Sequence, residues 1–307
     1  MKILFMGTPE FAAESLRTLL NSAYDICGIF TQPDKPKGRG MEVEFSPVKS
    51  IALENNIPVF QPAKLRDGTA MELVRNLEPD IIVVVAYGRI IPDDILYYPR
   101  LGTINVHGSL LPAFRGASPI QTAVLSGEKI SGVTTMYLAT EMDSGDIIYS
   151  DMLEIADYET SGEYSLRLQK TGAELLLKTL KAIEAGTAPR IPQDHSKATY
   201  TKMLDKSMSP IDFNRSAHLV IRQIYGLQPW PVATLKLNGD TVKVYGAEYS
   251  SDVTNREPGK LLRADERGLL YSCACGETVI INEIQVPGKK RVKVCDYLCG
   301  HSVAADL

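Results

Sequence analysis

The chain has 307 residues, of which 44% are hydrophobic and 23% charged, a composition that argues against disordered and membrane-embedded classes. Its length favours two domains, each large enough to bury its own core. The net charge of −4 argues against a wholly basic nucleic-acid binder, so any contact with RNA must depend on local clusters of Lys and Arg.

The chain shows neither a targeting segment nor a disulfide framework. Its amino-terminal apolar run is too short for a signal peptide, and no later run reaches the length of a membrane span. Five cysteines suggest the reduced thiols of a cytoplasmic protein. Four of them could form a thiolate metal site, but the first pair is too closely spaced for a zinc knuckle, so we favour packed side chains and expect no metal. These four are Cys273, Cys275, Cys295 and Cys299.

Strands and helices alternate from the amino terminus to about residue 185. The predicted strands are 2–6, 25–31, 57–60, 80–87, 104–107, 133–138 and 146–155, and the main predicted helices are 11–20, 46–55, 70–77, 119–125 and 160–185. This order predicts an α/β class with a doubly wound, mostly parallel, Rossmann-like sheet. The turn after the first strand lacks the three glycines of a dinucleotide-binding fingerprint, so a nicotinamide or flavin cofactor is not supported.

The alternation stops at about residues 33–47, where Lys35, Lys37 and Arg39 are interleaved with Pro and Gly. We predict a long, mobile, basic loop. Long inserts in compact α/β units are usually functional or disordered. The cations could neutralise phosphates of a nucleic acid, or they could form an ordinary solvated loop, and composition alone does not decide between these readings.

Two polar side chains leave the predicted strand 104–107 on the same face. Asn105 and His107 alternate with Ile104 and Val106, and residues two apart on a strand share a face. Glycines and prolines break the chain directly afterwards, and the carboxyl ends of strands are where open α/β sheets bind ligands. The alternative is that both side chains satisfy a neighbouring turn. The coincidence of an amide, an imidazole and a broken loop favours a site.

A third polar group lies between the two predicted strands that follow. Asp143 and Asp146 flank Gly145, and by themselves such residues are most often turn formers that bond their own backbone. Their spacing alone therefore does not indicate catalysis.

The last third of the chain predicts a separate β domain. Composition places the domain boundaries: a first domain at 1–188, a linker at 189–208 rich in Pro and polar residues, and a second domain at 209–307. A helix at 211–226 precedes five short strands at 233–237, 242–248, 260–264, 269–273 and 278–286. Five short strands suggest a small OB-like barrel, a fold that often carries oligonucleotides. The basic run at 289–293 is either a second cationic patch or a solvated surface.

The motifs resemble those of the formyltransferases that use 10-formyltetrahydrofolate. The resemblance rests on Asn105-Val106-His107-Gly108-Ser109-Leu110-Leu111-Pro112, followed by Arg115-Gly116 and Pro119-Ile120. It extends across nearly the whole chain, from Gly7-Thr8-Pro9 through Gln32-Pro33-Asp34 to Pro229-Trp230-Pro231. Among these enzymes, the basic insert and the second domain resemble those of the members that formylate initiator methionyl-tRNA.

The resemblance implies a role for each candidate residue. Asn105 would donate to the oxyanion, His107 would act as second donor or general acid, and Asp143, within an Asp-small-Gly-Asp motif, would orient His107 or accept the amine proton through water. The folate would contact Ser109, Leu110, Leu111 and Pro112, and tRNA would contact Lys35, Lys37 and Arg39. The implied partners are 10-formyltetrahydrofolate as co-substrate and initiator methionyl-tRNA, with no metal and no membrane, and we expect the protein to be a monomer. The family usually has Gly-Leu where this chain has Glu141-Met142, which affects the loop more than Asp143.

Two other functions stay open at this point. The folate signature also fits formylation of an amino sugar nucleotide or of glycinamide ribonucleotide, although the latter enzymes would lack the insert and the second domain. A non-catalytic tRNA-binding module is the alternative of another class, and the intact set of Asn105, His107 and Asp143 argues against it.

Overall fold

A computed structural model of the chain describes residues 1–37 and 42–305, with side chains placed for all of these except 35–37, 42 and 43. The chain forms two units. The first comprises Met1–Pro119, Ser131–Leu153 and Ser165–Thr201, and the second comprises Ile120–Ile130, Glu154–Tyr164 and Lys202–Leu307. The stretch from 189 to 201, within the segment read as a linker, thus lies in the first unit.

Among the residues that the structure describes, eleven strands occur in chain order up to Thr201. They are β1 (Lys2–Gly7), β2 (Asp25–Phe30), β3 (Lys35–Lys37), β4 (Glu42–Glu44), β5 (Val59–Phe60), β6 (Ile81–Val85), β7 (Thr103–His107), β8 (Arg115–Gly116), β9 (Ile130–Tyr137), β10 (Ile147–Glu154) and β11 (Tyr200–Thr201). Six helices accompany them: α1 (Glu10–Leu20), α2 (Pro47–Glu54), α3 (Thr69–Leu77), α4 (Asp93–Leu96), α5 (Pro119–Leu125) and α6 (Ser161–Glu184). Every strand and main helix predicted for this region is present, with ends that differ by a few residues.

Seven strands form the central sheet in the order β10-β9-β7-β6-β1-β2-β5. Pairs from β7 to β5 are parallel, and β9 runs antiparallel to β7. The chain moves outward from β1 to β2 and β5 and then returns to β6 on the other side, which is the reversal expected of a doubly wound sheet. The predicted α/β class and mostly parallel sheet are therefore confirmed. All five residues of β6 and of β7 are buried, as expected for strands covered on both faces.

The prediction that 33–47 lacks regular structure was wrong at both of its ends. β3 pairs antiparallel with β4, with Lys35 opposite Glu44 and Lys37 opposite Glu42. The segment's end is also fixed, because the Ser46 hydroxyl accepts from the Lys49 N–H at 3.2 Å and caps α2, while Pro47 supplies the preformed first turn. Residues 38–41, including Arg39, lie outside the described residues.

The second unit is built on an antiparallel sheet. Its strands are β12 (Ala233–Leu237), β13 (Asp240–Tyr249), β14 (Leu261–Asp265), β15 (Gly268–Ser272), β16 (Thr278–Gln285) and β17 (Val292–Lys293), with helices α7 (Ala217–Gly226) and α8 (Val294–Leu298). The order β12-β13-β16-β15-β14, with β17 beside β16, accounts for all five predicted strands and for the small OB-like domain.

Helix α7 begins six residues later than predicted. The Ile211 N–H donates to the Thr234 carbonyl at 2.9 Å, so residue 211 is held as an extension of the sheet. The Ser216 hydroxyl accepts from the Leu219 N–H and fixes the first turn at Ala217. In the described part of the chain, no helix has the length and apolar character needed to cross a bilayer.

Candidate active site

Asn105 and His107 lie together at the carboxyl end of β7. The strand is central, flanked by β6 and β9, and Asn105 lies opposite Val84 and Met136. Both side chains are nearly buried, at 9% and 5% exposure, and their spacing of two residues puts them on one face of the sheet. The two predicted residues therefore place polar groups in a largely apolar environment, where hydrogen bonds are electrostatically stronger than in water.

The hydrogen bond made by His107 identifies which ring nitrogen carries a proton. Nε2 lies 3.0 Å from the Phe114 carbonyl oxygen, and a carbonyl only accepts, so Nε2–H is the donor. The other ring nitrogen, Nδ1, lies 3.8 Å from Asp143 Oδ2. Nδ1 is thus the nitrogen available for acid or base chemistry, and its protonated form would face a carboxylate.

Asp143 is brought to His107 by the loop between β9 and β10. Its backbone is left-handed, with φ of 51°, and the Gly116 N–H donates to its Oδ2 at 2.7 Å. Two residues on, a Cβ on Gly145 would lie 1.9 Å from the Tyr137 carbonyl oxygen, so only glycine fits there. The structure therefore brings all three predicted catalytic residues together, although Asp143 comes from a distant part of the sequence.

The Asn105 side chain differs from that of Thr103 in having no hydrogen-bond partner in the part of the chain that the structure describes. Thr103, two residues earlier on the same strand, donates its hydroxyl to the Leu96 carbonyl at 2.7 Å. Among the described residues, none forms a hydrogen bond with the Asn105 amide, although nearly all of that side chain is buried. The amide nitrogen and oxygen are also not among the fully buried side-chain atoms that lack a partner in the described residues, so they remain accessible to a bound molecule.

The four residues predicted to contact folate form the turn after β7. The Ser109 hydroxyl is fully buried and donates to the Ala113 carbonyl at 2.6 Å, and Leu111 is buried, with its N–H donating to the Thr134 hydroxyl at 3.2 Å. Leu110 and Pro112 are half-buried. In this turn, Leu110 and Pro112 are therefore the side chains that keep exposed surface for contact with a ligand.

A buried network of polar side chains adjoins Asp143, and no sequence pattern pointed to this network. The Arg115 guanidinium, 1% exposed, donates from Nε and Nη2 to Gln193 Oε1 at 3.2 and 2.6 Å. Gln193 Nε2 in turn donates to the carbonyls of Asp143 and Gly145 at 2.9 and 2.7 Å. Arg115 appeared in the sequence only as part of a motif, and Gln193 carried no signal at all.

Two of the three predicted tRNA-binding cations lie on β3, next to a segment that is anchored by side-chain contacts. Lys35 and Lys37 belong to β3, and Arg39 falls outside the described residues. The Lys49 ammonium binds the Asp34 carboxylate and lies 2.9 Å from Gln61 Oε1. The hydrogen bond from Lys49 holds the pKa of Asp34 below its ordinary value.

The structure also describes the five cysteines. All five are free thiols, and burial raises the pKa of Cys273 to about 12. Within residues 1–37 and 42–305, no group of three or more His, Cys, Asp or Glu side chains is arranged to hold a metal ion.

The chain is similar to known proteins along almost its entire length. Residues 1–180 match the family model described as formyl transferase, and residues 203–302 match the one described as formyl transferase, C-terminal domain. Two relatives are named methionyl-tRNA formyltransferase. The one from Acetivibrio thermocellus is 44% identical over 99% of this chain and 97% of its own length. The one from Alkaliphilus oremlandii is 45% identical over the same shares.

Solved structures with low sequence identity share the fold. An N-formyltransferase from Helicobacter canadensis, in complex with folinic acid and dTDP-3-aminofucose, has a TM-score of 0.71 at 20% identity over 92% of this chain and 98% of its own. HypX from Aquifex aeolicus, in complex with tetrahydrofolic acid, has a TM-score of 0.61 at 18% identity over 97% of this chain and 47% of its own. With both family models matched and relatives well above 30% identity, the chain belongs to the formyltransferase family.

Proposed function

We propose that this protein transfers a formyl group from 10-formyltetrahydrofolate to the α-amino group of methionyl-initiator tRNA, giving formylmethionyl-tRNA for translation initiation. The observation that carries the proposal is the similarity of both matched regions to relatives that bear the name methionyl-tRNA formyltransferase. The cluster of Asn105, His107 and Asp143 supplies polar groups that suit the reaction.

The transfer moves one carbon between two nitrogens. The neutral amine nitrogen of methionine attacks the formyl carbon, and the C=O π electrons move onto oxygen to form a tetrahedral intermediate. Collapse re-forms the carbonyl and breaks the bond to N10 of the folate, which takes up a proton while the amine loses one. Catalysis therefore needs oxyanion donors and a path for one proton.

Asn105 is assigned to the oxyanion. Its amide has no partner among the described residues and is nearly buried, so its N–H groups can donate to a developing negative charge without first breaking a protein hydrogen bond. Removing such a donor typically lowers turnover by about 10²–10³-fold.

His107 and Asp143 are assigned to the proton path. Because Nε2–H is engaged by the Phe114 carbonyl, His107 can donate to the oxyanion or to N10 only from a protonated Nδ1. The Asp143 carboxylate, 3.8 Å from Nδ1, would stabilise that cation. Asp143 would also accept the amine proton through a water. The pair thus suits both halves of the proton transfer.

Binding of the two substrates is assigned to neighbouring segments. Leu110 and Pro112, with Ser109 and Leu111 shaping their turn, would contact the folate. Lys35, Lys37 and Arg39 would neutralise tRNA phosphates, and the C-terminal region matched at 203–302 would hold the rest of the tRNA. We assign catalysis to the domain predicted at 1–188, acting as a monomer in the cytoplasm, without a metal.

One assay tests the proposal. Purified protein and 10-formyltetrahydrofolate are offered charged initiator tRNA, glycinamide ribonucleotide or an amino sugar nucleotide in separate reactions. Formylmethionyl-tRNA is the expected product. Formylation of a small molecule alone, or of none of the three, would overturn the assignment.

A further inference from the structure

Gln193 connects a buried cation to the backbone that carries Asp143. Its side chain is 6% exposed and uses both ends of the amide, accepting from Arg115 and donating to the carbonyls of Asp143 and Gly145. In the sequence, Gln193 lies 78 positions from Arg115 and 50 positions from Asp143. These hydrogen bonds are therefore tertiary contacts, and they connect Arg115 to the loop that carries Asp143.

Arg115 determines the orientation of the Gln193 amide. A guanidinium has donors only, so the glutamine oxygen must face Arg115 and the NH₂ group must face the loop. The remaining guanidinium contacts are the Tyr200 hydroxyl at 3.4 Å and His195 Nδ1 at 3.3 Å. In the described part of the chain, Arg115 forms no ion pair with a carboxylate, which makes the Gln193 oxygen its closest acceptor, at 2.6 Å.

The same network holds both the backbone and the side chain of Asp143. Gln193 donates to the carbonyl of Asp143, whose backbone is left-handed, and to that of Gly145, and Gly116, directly after Arg115, donates its N–H to Oδ2 of Asp143. That oxygen is also the one nearest to His107 Nδ1. Movement of the loop by an ångström would therefore carry the carboxylate away from the imidazole.

We propose that Gln193, oriented by Arg115, is a positioning residue that sets the Asp143 carboxylate against His107. The catalytic meaning of this contact rests on the function proposed above, whereas the contact itself does not. Gln193 touches neither substrate in this assignment and acts only through the loop.

Replacing Gln193 with Glu gives a direct test. The Gln193→Glu side chain keeps an acceptor for Arg115 but loses both donors and directs a carboxylate oxygen at two carbonyls. A displacement of about 1 Å can cost about 100-fold in turnover, so we expect kcat for formyl transfer to fall about 10- to 100-fold, with KM for the tRNA changed less than about two-fold. Gln193→Met, which loses the donors without adding charge, should show the same split if the Glu variant does not fold.

Gln223 provides a matched control. It is similarly buried, at 7% exposure, and donates to the carbonyls of Met208 and Pro210 at 3.0 and 2.8 Å while accepting from the Asp212 N–H. Gln223→Glu and Gln223→Met should lower stability to a similar extent and leave kcat per folded molecule unchanged. Equal losses of kcat at the two positions, or no loss at Gln193, would overturn the proposal.

A spectroscopic measurement keeps this test independent of activity. The ring ¹⁵N signals of His107, assigned by their loss in His107→Gln, report the contact with Asp143 in the full chain without substrates. They should move in Gln193→Glu in the direction seen for Asp143→Asn and stay in place in Gln223→Glu. Unmoved signals would reject the positioning role, whereas a wild-type protein that forms no formylmethionyl-tRNA would reject the proposed function alone.

Discussion

Replacing Asn105 with Ala should remove catalysis while leaving the fold intact. Among the described residues, no group bonds to the Asn105 amide, so the variant breaks no hydrogen bond of the folded protein. We therefore expect the free energy of unfolding to change by about 0.5 kcal/mol or less. Loss of an oxyanion donor should lower kcat by about 10²–10³-fold, which corresponds to about 3–4 kcal/mol of transition-state stabilisation.

Thr103→Val is the matched control on the same strand. Valine preserves the shape of threonine but removes the hydroxyl that donates to the buried Leu96 carbonyl at 2.7 Å. An acceptor left unsatisfied costs about 1–3 kcal/mol of stability, and kcat should be unchanged. Asn105→Ala should thus lower turnover with little change in stability, whereas Thr103→Val should lower stability with no change in turnover.

The measurements are steady-state formylation of charged initiator tRNA and urea unfolding for each variant. Substrate-saturating conditions are required, since the amide is assigned to the transition state and its loss should appear in kcat. Wild-type turnover in Asn105→Ala would refute the oxyanion assignment. A loss of stability as large as that of Thr103→Val would instead show that the amide supports the fold.

Three further predictions follow from other parts of the molecule. Replacing Lys35, Lys37 and Arg39 with Ala should raise KM for tRNA and reduce the slope of log affinity against log salt concentration by up to about three, as measured by binding titrations between low and moderate salt. Asp80 accepts from the Lys2 N–H and from Arg100, and these bonds hold the pKa of its carboxyl below the ordinary value. Asp80→Asn should therefore cost about 1 kcal/mol above pH 5, and the difference from wild type in urea unfolding should close as the pH falls through the folded-state pKa. Burial raises the pKa of Cys273 to about 12, so this thiol should react with a thiol reagent at pH 8 only after unfolding. The exposed Cys275 and Cys299 should react at once. Rapid labelling of Cys273 in the folded protein would contradict its burial.

The parts of the fold that sequence predicted well are those governed by local periodicity. The alternation of Ile104 and Val106 with Asn105 and His107 is enough to place two polar groups on one face of β7. The pairing of β3 with β4 was missed, since strands of three residues carry almost no periodic signal. Helix α7 was predicted too long because its apolar pattern continues into residues that the sheet holds by a hydrogen bond to Thr234.

The arrangement of the site depended more on tertiary contacts. From its spacing alone, Asp143 was interpreted as a turn former, and only the resemblance to a family predicted that it lies near His107. Gln193 lies in a stretch rich in proline and polar residues that resembles a linker. Its hydrogen bonds span 50 and 78 positions, and no local rule connects residues so far apart. Sequence reasoning therefore found the proposed catalytic groups more readily than the residues that hold them.

Three consecutive residues explain why the signature motif continues past the catalytic strand. The Phe114 carbonyl takes the Nε2–H of His107, the Arg115 side chain orients Gln193 under the Asp143 loop, and the Gly116 N–H binds the Asp143 carboxylate. Phe114 and Gly116 have φ of 59° and 111°, and a Cβ on Gly116 would lie 2.8 Å from the Thr201 carbonyl oxygen. The segment is held in this strained path by pairing of β8 with β11. Since the Phe114 carbonyl occupies Nε2 and Gly116 directs the carboxylate towards Nδ1, this backbone path determines which histidine nitrogen can exchange a proton.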